Sequence, residues 1–214
     1  QNAYAKTAML LASCERELGE ETWARVMKTY ATRWAFRHPT TADFRAVVKE
    51  IAGESADALF RETWDSTGSI DYAVSVATSK RVEPAVGYAG DGSAFKFTAA
   101  AKEPPKSGPF ESVVVVKRLG DAVWPVDVEL RFHGGQKVRR RWDGKERWIR
   151  YRITGPELEE AVVDPDRKVL LDVDLLNNGR RVEKAPAPAE RWGHRLRFFA
   201  QNVLSLFALL GAAI

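Results

Sequence analysis

The feature that most constrains this chain is a change of hydrophobic period near residue 66. Before it, apolar residues recur every three or four positions. After it they recur every second position. In ETWARVMKTYATRW, residues Trp23, Val26, Met27, Tyr30 and Trp34 fall on one face of a helix. In VWPVDVELRF, residues Val126, Val128, Leu130 and Phe132 share one face of a strand, and Asp127, Glu129 and Arg131 the other. One stretch cannot satisfy both periods, so the chain divides into a helical part and a sheet part.

Punctuation refines the division. Gly19 separates the opening helix from the next, whose Glu20 and Glu21 suit the positive end of a helix dipole. Pro39 stops that helix, Thr40 is a candidate N-cap, and Asp43 stands at the capping-box position. Phe44, Val47, Val48 and Ile51 form the next buried stripe, and Gly53 ends it. Ser55 is expected to cap a fourth helix carrying Leu59, Phe60 and Trp64. Beyond DSTGS, HGGQ reads as a turn and the DG of RRRWDGKERW as a hairpin. KVLLDVDL reads as a strand with Val169, Leu171, Val173 and Leu175 inward and Asp172 and Asp174 facing solvent. AAAKEPPKSGP is expected to be a long, mobile loop within the sheet part.

The last segment differs again. A Pro-Ala linker and a basic run lead into FFAQNVLSLFALLGAAI. This tail, 198–214, is slightly short for a bilayer span and contains Gln201, Asn202 and Ser205. Its basic flank suits a membrane edge, whereas its length suits a helix docked on the protein, and the sequence leaves both open. The expected architecture is α+β and multidomain: helices over 1–68, an antiparallel β-sandwich over 69–182, and a linker with an apolar tail helix over 183–214. The expected location is cytoplasmic or membrane-associated.

Composition excludes several chemistries. Cys14 is the single cysteine, so no internal disulfide forms, and its place between Leu11 and Leu18 suits a buried, inert thiol. The histidines His38, His133 and His194 lie in three different units without paired ligand spacing. With no HExxH and no CxxC, the sequence argues against a zinc site built from this chain alone. The local environment of His38, before Pro39 at a helix end, suits a local hydrogen bond. No GxSxG elbow accompanies the HGG at His133, and no phosphate-binding glycine loop is present. Asp172 and Asp174 lack the glycine and terminal Glu of a calcium loop.

The net charge of +4 alone does not argue for nucleic acid. The excess is local: residues 117–152 hold eleven Lys or Arg against five Asp or Glu, with Trp142 and Trp148 interleaved. Such a face could serve a binding module for an acidic partner or nucleic acid, with Arg139, Arg140 and Arg141 at its centre. Against that, Asp127 and Glu129 share a face with neighbouring arginines, as a solvated sheet with cross-strand pairs would.

The order of features in the helical part resembles the segment that closes the catalytic domain in the aminopeptidase-N and leukotriene hydrolase family of zinc metallopeptidases. Tyr4 and Lys6 match its Tyr-x-Lys-Gly start, although Thr7 stands where Gly is usual. Leu18 with Gly19, the aromatic helix from Trp23 to Trp34, Pro39 with Thr40 and Asp43, and Phe60 with Trp64 follow in register. RRRWDGKERW and VVDPDRKVLLDVDLLNN look like the β-sandwich that follows in that family. The resemblance implies that this chain is a carboxy-terminal fragment, inactive alone, of a hydrolase acting on peptide substrates. It implies a zinc cofactor whose HExxH and Glu ligands lie upstream of Gln1. It also implies a catalytic role for Tyr4, whose phenol would donate a hydrogen bond to the oxyanion.

Overall fold

The computed structural model describes residues 2–82, 86–91, 94–99 and 107–182. The tail 198–214, the linker before it, His194 and most of the AAAKEPPKSGP stretch lie outside the described residues. No helix among the described residues is long and apolar enough to cross a membrane.

The protein is mixed α+β, with four helices followed by antiparallel sheets. The helices are α1 (Asn2–Leu18), α2 (Glu20–Trp34), α3 (Thr41–Ala52) and α4 (Glu54–Trp64). Their core is an aromatic cluster around Phe44. Tyr30, Phe60 and Trp64 meet its ring edge-on with centroids 5.0, 5.7 and 6.0 Å away. These are the residues that the helical period places inward. At the start of α3, the Thr40 hydroxyl accepts from the Asp43 amide at 3.4 Å, and the Asp43 carboxylate accepts from the Thr40 amide at 2.8 Å. The capping box therefore forms as its spacing predicts. The expected Ser55 cap does not form, because α4 begins two residues earlier, at Glu54 with Gly53 in the N-cap position. Gly53, at φ +90°, both ends α3 and precedes α4, a conformation that an L side chain resists.

The strands are β1 (Tyr72–Arg81), β2 (Gly87–Asp91), β3 (Ala94–Thr98), β4 (Phe110–Arg118), β5 (Val126–Phe132), β6 (Lys137–Trp142), β7 (Trp148–Gly155), β8 (Leu158–Val163) and β9 (Gly179–Arg181). They make a three-stranded sheet in the order β1-β4-β7 and a four-stranded sheet in the order β6-β5-β8-β9. The hairpin β2-β3 is inserted between β1 and β4. The two larger sheets meet where β1 lies against β8 and β9 and β4 against β8. Val114 and Val116 of β4 and Val126, Val128, Leu130 and Phe132 of β5 are all buried. Helices and strands through Arg181 belong to one compact unit.

Two expectations about the sheets are corrected. The DG of RRRWDGKERW is not a hairpin: β6 pairs with β5 and β7 with β4, so the chain changes sheets there. Gly144 is needed at this crossing because a Cβ would stand 2.4 Å from the Tyr72 hydroxyl. KVLLDVDL is not an alternating strand either. It is a run of turns with one parallel bridge, Ile70 to Asp172. Val169 is buried, but Val173 is 66% exposed, and the buried Asp172 does not face solvent. Its carboxylate accepts from the Tyr72 and Asp174 amides and from Asn178 Nδ2, at 3.3, 3.1 and 3.0 Å. The local turns need an acceptor there more than the pattern needs an outward charge.

Candidate functional site

Tyr4 stands on the first turn of α1, 88% exposed. The same helix is anchored further along by the fully buried Leu10 and Cys14. Burial pushes the Cys14 thiol up to about 12, so it remains an unreactive thiol at neutral pH. Lys6 Nζ donates to the Ser66 carbonyl at 3.4 Å, tying the start of α1 to the link between helices and sheets. Ser13 fastens the middle of the helix. Its hydroxyl donates to the Met9 carbonyl at 2.7 Å and accepts from the Leu170 amide at 2.9 Å.

Beside this junction lies a cleft of about 380 Å³, lined by Lys6 and Met9 of α1, Thr63 of α4, and Ser69, Asp172 and Val173. Asp172 is the acid within it. Burial raises its pKa, but its oxygens are occupied by the amide and Asn178 hydrogen bonds described above. It is therefore a poor general base. Tyr4 is not among the residues lining the cleft.

The two described histidines, His38 and His133, do not converge. His133 sits in the β5-β6 turn with Nδ1 2.8 Å from Glu159 Oε1, and His38 is exposed between α2 and α3. Among the described residues no group of three or more His, Cys, Asp or Glu is placed to hold a metal ion. What α1 offers chemically is one exposed phenol donor on an anchored helix.

The basic run separates into two populations. On the second sheet, Glu129 has a side chain only 3% exposed and accepts from Arg131 Nε and Arg139 Nε at 2.8 and 2.7 Å. Arg139 also grips Asp166, at 2.6 and 2.9 Å. Arg141 pairs with Glu17 of α1 and, at 3.2 Å, with Asp127, while Lys168 reaches Asp127 at 3.3 Å. The expected cross-strand pairs form, and the cations Lys137, Arg139, Arg140 and Arg141 are exposed as a solvated face requires, whereas the Glu129 carboxylate between them is buried. Glu17 brings the end of α1 onto it, and the carboxylates are taken up by arginines. Trp142 is also buried, edge-on to Tyr72 with centroids 5.4 Å apart. Trp148, by contrast, stands on β7 of the other sheet, 53% exposed.

Sequence reasoning missed Ser13 and Glu17 as the residues that join α1 to the sheets. Their only sequence signal is a polar side chain on an otherwise apolar helix face, three residues after Leu10 and three after Cys14. No protein-family model matches this sequence, and no curated protein is significantly similar to it.

Proposed function

We propose that the chain is the carboxy-terminal part of a zinc aminopeptidase-like hydrolase that cleaves amino-terminal residues from peptides, with Tyr4 as its oxyanion donor. The finer architecture on this reading is the end of a metallopeptidase catalytic domain followed by its β-sandwich. The observation that carries the reading is the exposed phenol of Tyr4 at the head of a firmly seated helix. The motif series is consistent with it, since its capping-box and glycine positions fall at the ends of the helices.

On this reading the zinc ligands belong to residues preceding Gln1, and the metal supplies Lewis acidity when bound. The contribution of this chain is narrower. The Tyr4 hydroxyl donates a hydrogen bond to the carbonyl oxygen that gains charge as the peptide bond is attacked. That charge develops mainly in the transition state, so the bond lowers the barrier more than it tightens substrate binding.

The first test is the reading frame upstream of Gln1, where an HExxH followed by a Glu is expected. In the protein that contains both, Tyr4→Phe should lower kcat by about 10²-fold or more with KM and zinc content little changed. A loss below about tenfold, equivalent to about 1.4 kcal/mol in barrier, would remove Tyr4 from the chemistry. The alternative, a non-enzymatic module that binds through Arg139, Arg140 and Arg141, has less support. Two of these three side chains are held by Glu129, Asp166, Glu17 and Asp127.

A further inference from the structure

We propose that the outer face of the β1-β4-β7 sheet is a docking surface for an anionic lipid bilayer. The register places the contact groups side by side. Lys117 on β4 is opposite Trp148 on β7, and Val115 is opposite Arg150 on one side and Val76 on the other. Lys80, further along the outward side of β1, is exposed as well. In each strand these residues alternate with the inward set, so all six lie on the side facing away from the core.

Charge and polarity then select the occupant. The Arg150 guanidinium lies over the Trp148 ring, 5.6 Å from its centroid. Lys80 and Lys117 form no ion pair among the described residues. The one acid at an outward position of this face, Glu111, is already paired with Arg152 at 3.3 Å. The result is a sheet face with free cations, one exposed indole, and valines between them. That combination suits the level of lipid headgroups, where cations meet anionic lipid, Trp sits at the interface, and small apolar side chains enter the acyl boundary.

Nucleic acid fits less well. Sequence-tolerant nucleic-acid binding needs successive aromatic platforms for the bases, and the other two tryptophans of the basic run, Trp124 and Trp142, are buried. The sequence beyond the described residues agrees with the bilayer. It carries Arg191, Arg195 and Arg197, then the apolar stretch 198–214. Stable membrane attachment generally takes two signals, and a cationic face with an apolar tail is such a pair. This inference is independent of the peptidase reading.

The test is co-sedimentation of the full chain with phosphatidylcholine vesicles, with and without about 30% phosphatidylserine, at low and physiological salt. Binding to the anionic vesicles is expected, weakened by salt. The K117E/R150E double variant should reduce it by about tenfold or more, and Trp148→Ala should weaken it further. K117Q/R150Q should lose less, in the same direction. R25E/K28E, which makes the same charge change at exposed positions on α2, should bind within about twofold of the parent. Far-UV circular dichroism confirms that each variant is folded. Unchanged binding by the folded K117E/R150E protein, equal losses in both charge-reversed variants, equal binding to uncharged vesicles, or tighter binding to a single-stranded oligonucleotide would each overturn the proposal.

Discussion

Tyr72 shows how much one side chain settles in this fold. Its hydroxyl donates to the Trp124 carbonyl at 2.6 Å and accepts from the Trp124 amide at 3.0 Å, with both residues fully buried. Burial pushes the phenol up to about 12, so it remains a neutral donor throughout the ordinary pH range. Tyr72→Phe keeps the ring and its edge-on contact with Trp142 but leaves an amide and a carbonyl without partners. The expected cost is about 2–6 kcal/mol, because each of the two orphaned buried groups costs about 1–3 kcal/mol. Urea denaturation would read it as a lower midpoint at unchanged slope. A shift equivalent to under about 0.5 kcal/mol would show that water or a relaxed backbone replaces both bonds. Arg118 makes a similar point with charge. Its guanidinium is buried and donates to the carbonyls of Gly120, Asp121, Gly144 and Lys145 rather than to an acid. Nothing in RLGDAVW announces either role, since the partners are backbone atoms that only the fold brings within reach.

Among elements, those governed by local rules were legible in the sequence and those governed by partners were not. The capping box at Thr40 and Asp43, the break at Gly53 and the aromatic stripes of α2 to α4 depend on neighbours three or four residues away, and they appear where the spacing places them. Thr40→Ala should therefore behave as a purely local lesion. It should cost about 1 kcal/mol, with loss of protection confined to the first turn of α3 in hydrogen exchange. Loss of protection across the sheets would mean that this cap holds more than its own helix. The Asp143-Gly144 pair misled for the converse reason. A left-handed glycine is required both by a tight hairpin and by a chain crossing close over Tyr72, and the sequence does not distinguish the two. KVLLDVDL misled because Asp172 and Asp164 are acceptors for turn amides. Asp164 takes those of Lys168 and Val169 at 2.9 and 2.8 Å, so alternation there is not a sheet signal. The candidate site follows the same division. Tyr4 is singled out only by the family resemblance, and the structure adds its exposure on α1, whereas the cationic face was hidden in the sequence. Its residues come from three strands, and the run 117–152 mixes them with cations of the other sheet.

For the whole molecule, two carboxylates on the shared face of α1 and the second sheet make opposite pH dependences. Hydrogen bonds from Arg131 and Arg139 hold Glu129 below the usual glutamate value of 4.5. It binds a proton less readily folded than unfolded. Its stabilisation is thus present above about pH 4.5 and lost as pH falls through the folded value. Glu17 is shifted the other way. Burial raises it, and Asp127 adds to the shift, against the pull of Arg141 and Lys168. It binds a proton more readily when folded, so its contribution is fully present below the unfolded value and declines as pH rises through the folded one. At neutral pH Glu129→Gln should cost about 2 kcal/mol, short of a full buried-pair loss because Arg131 keeps Glu160 and Arg139 keeps Asp166. Glu17→Gln should be compared with the parent across the same series. On acidification from about pH 7 to about pH 4, the deficit of Glu129→Gln relative to the parent should shrink. Over the same interval the parent should gain on Glu17→Gln. Urea midpoints for the three proteins at matched ionic strength give both differences directly. If both differences moved in the same direction, the two carboxylates would not be titrating against the partners assigned to them, and the joint between α1 and the sheets would have to rest on Ser13 and apolar packing instead.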